Sequence, residues 1–207
     1  ISGLTMGIDD LYYNENTAAP YIHRMNEKII DMDTKYDNQN MSILFNAHTE
    51  KRHGVTMHNT MKHSWNRIFA DSGGLQLART PKGITNVVKD KVYNHQSKYC
   101  DVAMIFDQLP VEYDLTLTGG NSMKASSVGR RFVRDDVEKC AIETRENVKR
   151  QIEIFKKENS RAKIMLISQG QDVDSWRKYI EVICHGLDDE EIKNIIDYTI
   201  SSASTDD

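Results

Sequence analysis

Three polar residues of the chain, Asp71, Asp107 and Gln169, each follow a short apolar segment and have side chains suited to binding a planar, nitrogen-rich ring. Carboxylate oxygens accept hydrogen bonds from ring N–H and amino groups, whereas an amide both donates and accepts. Such a set fits a heterocycle with donors and acceptors along one edge, such as a purine. An Asp after a strand can instead cap the next helix, and for each Asp alone both interpretations stay open. The occurrence of three such residues favours a binding site.

The Asp71-Ser72-Gly73-Gly74 turn is the most specific local pattern in the chain. Its two glycines allow the backbone to approach a ligand closely, and we expect their N–H groups to be free to point at it. The same four residue types surround the nucleophile of serine proteases, where a Gly precedes the Asp within a β-barrel protein. Ala70 precedes the Asp here and the surrounding pattern is α/β, so we exclude the protease interpretation.

The order of apolar segments predicts an α/β fold built on a parallel sheet. Four short, continuously apolar runs are predicted strands: residues 41–47, 66–70, 101–106 and 163–168. Helical periodicity predicts helices over residues 17–36, 126–159, 172–185 and 190–200. This alternation is typical of a parallel sheet covered by helices, in either an open doubly wound sheet or a (β/α)8 barrel. Because such folds bind ligands at the carboxyl ends of their strands, we expect Asp71, Asp107 and Gln169 to converge on one face.

The composition predicts a folded protein with one core. The 207-residue chain has 39% hydrophobic and 28% charged residues, and 27 basic against 31 acidic residues give a formal net charge of −4. These values exclude the disordered and low-complexity classes. We expect a single domain over residues 1–207. Part of its core is predicted to be an apolar stripe on the longest helix: Val133, Val137, Cys140, Ala141, Thr144, Val148, Ile152 and Phe155.

The distribution of apolar, cysteine and histidine residues bears on location and metals. No segment has the roughly 18 consecutive apolar residues of a membrane span, so we expect no membrane partner. Cys100, Cys140 and Cys184 are odd in number and far apart, which favours a reducing compartment such as the cytoplasm. Four histidines recur every five residues from His48 to His63, and that spacing places them on different faces of a helix or strand. We therefore predict no metal site from them.

With DSGGLQL after a strand, the sequence resembles the tRNA-guanine transglycosylase (queuine tRNA-ribosyltransferase) family, whose hallmark is DSGGFQ. The matched hallmark positions are Asp71, Ser72, Gly73, Gly74 and Gln76. DVAMIFDQLP is similar to the family strand that ends in a second base-binding carboxylate, which corresponds to Asp107. IMLISQGQ is similar to the family's VQGG strand end and aligns Gln169 and Gly170, and residues 122–134 resemble the family's Arg-containing helix start. The resemblance covers residues 66 to 186, over half of the chain.

The resemblance implies a (β/α)8 TIM barrel that exchanges guanine in DNA or tRNA for a 7-deazaguanine such as preQ0 or preQ1. An Asp nucleophile attacks the ribose C1′, and an Asp-glycosyl intermediate divides the transfer into two steps. The base must leave its stack to be reached. By the same resemblance, the catalytic candidates Asp71 and Asp107 recognise the base edge, and Asp71 also relays a proton. The implied base-binding residues are Ser72, Gly73, Gly74, Gln169 and Gly170.

The nucleophilic Asp and the Cys/His zinc site of the family lie C-terminal to the matched region. We therefore expect an incomplete barrel with no metal site in this chain, and zinc only in the missing part. A partial barrel exposes sheet edges, so we expect a homo-oligomer or a partner subunit. The family pattern also changes at Leu75, Leu109 and Gln171, which replace an aromatic residue, a Cys and a Gly. These departures suggest a divergent branch, similar to the enzymes that insert 7-deazaguanines into DNA, in the cytoplasm of a bacterial or phage-infected cell.

Two other functions stay open at this point. One is a non-catalytic subunit that binds a base or nucleic acid and relies on a partner for the nucleophile. The other is an unrelated (β/α) enzyme that uses Asp71 and Asp107 as a general acid–base pair. Lys124, Arg130 and Arg131 cluster near a predicted helix start and are candidates for contacts with nucleic-acid phosphates, although a solvated charged face explains them equally well.

Overall fold

The structure is a computed structural model that describes residues 42–49, 51, 54, 55, 58, 67–74, 84–113 and 130–202. Several predicted features lie outside these residues: the helix over 17–36, His53, His63, Leu75, Gln76 and Lys124. The described part combines a parallel sheet, a short antiparallel strand pair and helices, so it belongs to the α/β class.

In the described residues, five parallel strands form the central sheet, and their order across the sheet follows their order in the chain. They are β1 (Ile43–Asn46), β2 (Ile68–Asp71), β3 (Val102–Met104), β6 (Lys163–Gly170) and β7 (Ile195–Ser202). Every neighbouring pair is parallel, so the carboxyl ends of the strands lie along one edge of the sheet. The first four of these strands are those predicted from the sequence, and the prediction of a parallel sheet is confirmed.

A short antiparallel pair, β4 (Val111–Tyr113) with β5 (Arg130–Phe132), follows β3 in the chain. The helix predicted over 126–159 is therefore too long at its start, because residues 130–132 form strand β5. The helix itself, α2, spans Val137–Lys157. A single 3-10 turn at Arg134–Asp136 separates β5 from α2. Pairing with β4 supplies the backbone hydrogen bonds of residues 130–132 that a longer helix would otherwise have to supply.

Two further helices cover the sheet beside α2. The predicted helix over 172–185 is confirmed as α3 (Val173–His185). A helix that the sequence did not predict, α1 (Asn86–Tyr99), precedes β3, and Thr85 caps its first turn. Its apolar periodicity is weak because polar residues occupy much of its buried face: Lys89, Gln96 and Ser97, beside Val92 and Tyr93.

The predicted helix over residues 190–200 is wrong. Only α4 (Asp189–Ile192) is helical there, and Asp188 caps it by accepting a hydrogen bond from the Glu191 N–H at 2.7 Å. The chain then extends as β7, which pairs with β6 from Ile164 to Gly170. The β-branched residues of IIDYTISS favour a strand, and the free edge of β6 gives their backbone groups partners.

The core lies between the sheet and helices α1 to α3. Its largest fully buried side chains are Phe45, Tyr93, Ile105, Phe106, Ile152, Ile164, Leu166, Tyr179 and Ile183. The stripe predicted on α2 is buried at Val137, Ala141, Thr144, Val148, Ile152 and Phe155. Asn147 and Gln151 share that buried face, so it carries amides as well as apolar groups. No helix in the described part is both long and apolar enough to cross a bilayer.

Candidate functional site

Four polar side chains meet at the carboxyl edge of the parallel sheet, and we call them the carboxyl-edge site: Asn46, Asp71, Asp107 and Gln169. Asn46 and Asp71 end β1 and β2 and are register partners. Asp107 lies three residues beyond β3, and Gln169 is the penultimate residue of β6. The structure thus brings the three residues predicted from strand ends to one edge of the sheet.

The Gln169 side chain bridges from β6 to the loop after β3. Its Nε2 donates a hydrogen bond to Asp107 Oδ2. Gln169 is only 3% exposed, and its Oε1 accepts no hydrogen bond from any described residue. A buried carbonyl oxygen without a donor costs about 1–3 kcal/mol. An N–H donor on a ligand would remove that cost.

The Asp107 carboxyl is poised to change its charge near neutral pH. Burial raises its pKa to about 6, and repulsion from the Asp71 carboxylate acts in the same direction. The hydrogen bond from Gln169 opposes the shift, because it favours the ionised form. A carboxyl whose pKa is raised by desolvation in the presence of a second carboxylate is typical of functional sites.

Asn46 is the member of the site that the sequence interpretation missed. Its Nδ2 donates to Asp71 Oδ2 at 3.3 Å, while its Oδ1 accepts from the His48 and Thr49 N–H groups, both at 3.0 Å. The turn after β1 therefore fixes the amide with its NH2 group toward Asp71. The predicted strand over 41–47 places Asn46 within the strand, whereas Asp71 directly follows the strand predicted over 66–70, so Asn46 carries a weaker signal.

The turn after β2 depends on Gly73. Its φ of 74° is in the left-handed region, and a Cβ there would lie 2.7 Å from Asn46 Oδ1 and 2.8 Å from His48 Cβ. The Gly74 N–H donates to Ser72 Oγ at 3.2 Å, so the expectation that both glycine N–H groups are free is wrong for Gly74. Ser72 itself is buried and closes this turn.

Gly170 allows α3 to begin directly beside Gln169. A Cβ at Gly170 would lie 2.6 Å from Ser175 Oγ and 2.8 Å from the Trp176 backbone nitrogen. Ser175 also belongs to a capping box with Asp172 that starts α3. Gly170 is therefore required for the approach of helix to strand, whatever it contributes to a ligand.

Hydrogen bonds from two buried glutamine side chains hold the ends of β2 and β3 in place. Gln96 Nε2 on α1 donates to the carbonyl oxygens of Ala70 at 3.0 Å and Met104 at 2.9 Å. Gln151 on α2 donates in turn to Gln96 Oε1 at 2.9 Å. These bonds fix the strand ends from which Asp71 and Asp107 extend.

A second polar chain holds the residue before Asp107. Asn147 Nδ2 on α2 donates to the Phe106 carbonyl at 2.8 Å, and Lys89 Nζ on α1 donates to Asn147 Oδ1 at 2.7 Å. Lys89 is 9% exposed, and burial is the main cause that lowers its pKa. The Phe106 carbonyl is therefore held directly by Asn147 on α2 and, through it, by Lys89 on α1.

The residue after Asp107 is held as well. The Gln108 N–H donates to Thr144 Oγ1 at 2.8 Å, and the Tyr179 hydroxyl donates to the Gln108 carbonyl at 2.7 Å. Both partners are buried, one on α2 and one on α3. With its neighbours fixed on both sides, Asp107 has a rigid backbone, as a preorganised binding residue requires.

Arg131, a candidate for phosphate contact, and Arg134 carry exposed ion pairs. Arg131 on β5 pairs with Glu112 on β4, and Arg134 pairs with Asp172 at the start of α3. Exposed pairs contribute at most about 1 kcal/mol, so phosphates of a nucleic acid could replace these carboxylates. Arg130 lies in β5, next to Arg131.

The zinc-type ligand set of the resembling family has no counterpart in the described residues. They contain no group of three or more His, Cys, Asp or Glu side chains that could hold a metal ion. Cys100, Cys140 and Cys184 are free thiols, and burial raises the pKa of each.

The site therefore combines two carboxyl groups, a fixed amide NH2 group and a buried, unsatisfied amide carbonyl at one sheet edge. Such an arrangement can accept several hydrogen bonds from one planar edge. Comparison with protein-family models, with curated proteins and with solved structures finds no match to this chain.

Proposed function

We propose that this chain supplies the base pocket of a transglycosylase-type enzyme that exchanges guanine in DNA or tRNA for a 7-deazaguanine. The observation that carries the proposal is the Asp107–Gln169 pair: Gln169 Oε1 is buried without a donor among the described residues, and the Asp71 carboxylate is close enough to Asp107 to repel its charge. The motifs DSGG and SQG, on which the family resemblance rests, lie at the ends of β2 and β6, the two strands that neighbour β3 in the sheet.

Guanine suits the site because its pyrimidine ring presents two adjacent donors, N1–H and the 2-amino group. Asp107 accepts the N1–H, and Gln169 Oε1 accepts from the 2-amino group. A 7-deazaguanine keeps these donors and differs only in the five-membered ring. A pocket that binds the N1–H and 2-amino donors therefore accepts both the leaving and the incoming base, as an exchange reaction needs.

In the proposed reaction, the carboxylate nucleophile that the resemblance places beyond the matched region forms a bond to the ribose C1′. The C1′–N9 bond breaks, and its electron pair goes to guanine, which takes up a proton relayed by Asp71. The 7-deazaguanine then gives up its N9 proton and displaces the carboxylate from C1′. Asp107 and Gln169 hold each base in place throughout these steps.

The strand order supports a (β/α)8 barrel as the proposed architecture. The five described parallel strands follow one another in chain order. Consecutive strands of a (β/α)8 barrel are neighbours in chain order, whereas in a doubly wound sheet the strand order reverses at the ligand site.

A second candidate, an unrelated enzyme with Asp71 and Asp107 as an acid–base pair, is favoured by one observation. Burial and the neighbouring carboxylate raise the pKa of Asp107 to about 6, which is suited to a general acid. This candidate predicts no affinity for guanine or 7-deazaguanines, so base binding distinguishes the two.

The test is isothermal calorimetry with guanine, preQ1 and adenine, using the chain and its Asp71→Ala and Asp107→Ala variants. Glu181→Ala, an exposed carboxylate on α3, is the matched control. We expect guanine and preQ1 to bind the chain and the control, each site variant to lose at least about tenfold in affinity, and adenine not to bind. A folded chain that binds neither guanine nor preQ1 would contradict the proposal.

Labelled guanine offered with tRNA or with duplex DNA then identifies the polymer. Incorporation into one of them supports the exchange reaction. Base binding without incorporation into either would favour the non-catalytic role, in which a partner brings the nucleophile.

A further inference from the structure

We propose that Asp107 and Gln169 form a two-position switch: ionised Asp107 turns the Gln169 carbonyl toward the ligand, and protonated Asp107 turns the Gln169 NH2 group toward it. The switch rests on the proposed function only in that the ligand is a purine-type base. It makes Gln169 a specificity-determining residue: whether Gln169 accepts a hydrogen bond from the base or donates one to it depends on the charge of Asp107.

The ionised position is the one in the structure. An ionised carboxylate can only accept hydrogen bonds, so it must face the amide NH2 group. Gln169 Nε2 donates to Asp107 Oδ2, and the carbonyl Oε1 is left as an acceptor without a described partner. In this position the buried amide presents a carbonyl and favours a donor group such as the 2-amino group of guanine.

The protonated position follows from the change in Asp107. A neutral carboxyl has an O–H that needs an acceptor, and Gln169 Oε1 satisfies it after the amide rotates by about half a turn about its last torsion. Both orientations of an amide occupy nearly the same volume, so the rotation fits a packed site. The NH2 group then lies where the carbonyl was and opposes a ligand amino group.

The elements around Asp107 determine its charge. Asp71 on β2 repels the ionised form, and Gln169 on β6 stabilises it. Tyr179 on α3 stays neutral, since burial raises its pKa well above the ordinary value, and it bonds Thr144 on α2 and the Gln108 carbonyl. Asn46 on β1 donates to Asp71 and moderates its repulsion. With the Asp107 pKa at about 6, both positions are populated within a mild pH range.

The direct test follows the Gln169 side-chain amide by 1H–15N NMR in the ligand-free chain between pH 5 and pH 8. The Gln169→Met spectrum identifies the signal, and the Asn94 amide, which donates to the Asp90 carbonyl at 2.7 Å, is the internal control. We expect one Gln169 amide proton to be shifted downfield at pH 8 and to lose that shift with a midpoint near pH 6. In Asp107→Asn the signal should not titrate. A Gln169 signal that is constant with pH, or that still titrates in Asp107→Asn, would overturn the switch.

The consequence for selectivity is measured with guanine and hypoxanthine, which differ only in the 2-amino group. We expect the preference for guanine to be roughly tenfold greater at pH 8 than at pH 5, and to be independent of pH in Asp107→Asn. An equal preference at both pH values would overturn the switch. Because the NMR titration needs no ligand, failure to bind guanine contradicts the proposed function without deciding the switch.

Discussion

The Asn46 amide donates a hydrogen bond to the Asp71 carboxylate across the ends of two neighbouring parallel strands, with Nδ2 and Oδ2 3.3 Å apart. The turn after β1 fixes this orientation, because Asn46 Oδ1 accepts from the His48 and Thr49 N–H groups. The first strand of the described sheet thus positions the candidate catalytic carboxylate of the second.

Asn46→Asp tests this relationship with almost no change in shape. An Asp keeps the acceptor that holds the turn, but it replaces the NH2 donor with a negative charge beside Asp71. Compared with the unsubstituted chain at the same pH, we expect guanine affinity to be about tenfold lower at pH 8 and less reduced at pH 5, because protonation removes the repulsion. Calorimetry at pH 8 and pH 5 measures this. A loss that is the same at both pH values would contradict the electrostatic explanation.

Asp107→Asn should stabilise the fold at alkaline pH. The pKa of Asp107 is raised from 3.8 to about 6, so between these values the folded state binds more protons than the unfolded state, and stability falls as pH rises. The cost of the ionised form above pH 6 is at most about 3 kcal/mol. Removing the charge recovers part of it, whereas below pH 4 the variant should gain nothing.

Urea unfolding of the chain and of Asp107→Asn at pH 8 and pH 4 measures this difference. Glu181→Gln, which removes an exposed carboxylate from α3, serves as the control and should change little at either pH. A variant that is less stable than the chain at pH 8 would show that Asp107 contributes to stability rather than reducing it.

The contributions of Lys89 and Asn147 to the stability of the fold should be coupled. Asn147→Leu leaves both the buried Lys89 ammonium and the Phe106 carbonyl without their bonds, and we expect it to destabilise the fold by about 3 kcal/mol. Adding Lys89→Met should cost little more, because the uncompensated charge is then gone. Urea unfolding of the two single variants and the double variant measures the coupling, and additive losses would exclude it.

Gly73→Ala should damage the site more than Gly74→Ala. At Gly73 the φ of 74° costs about 1–2 kcal/mol for an L-residue, and the new Cβ would displace Asn46. At Gly74 the closest atom to a new Cβ is Phe106 Cδ1 at 3.3 Å, which a small shift relieves. Thermal unfolding and guanine affinity should both fall more in Gly73→Ala. Equal effects would show that the turn does not depend on the Gly73 conformation.

The sequence was sufficient to predict the first four strands of the sheet, because each is a short, mostly apolar run flanked by polar residues. It also predicted α3 and the buried stripe of α2, where the helical period is clear. Helix α1 escaped prediction because buried Lys89 and Gln96 are satisfied by tertiary partners, Asn147 and the Ala70 and Met104 carbonyls. Strand β7 was mistaken for a helix because its pairing with β6 is a non-local contact.

Three members of the carboxyl-edge site were predictable because topology alone brings strand ends together. Their roles within the site were not. The pairing of Gln169 with Asp107, and the use of the Gly74 N–H by Ser72, depend on side-chain geometry that no spacing encodes. Asn46 was missed because the predicted strand extends past it to residue 47, whereas β1 ends at Asn46.

The most direct test of the central claim is to locate guanine on the chain by 1H–15N NMR. We predict that added guanine shifts the side-chain amide signals of Gln169 and Asn46 and the backbone signal of Gly73, while the Asn94 amide stays unchanged. Shifts confined to residues away from the carboxyl edge, or no shifts with a folded chain at saturating guanine, would contradict a base pocket at these strand ends.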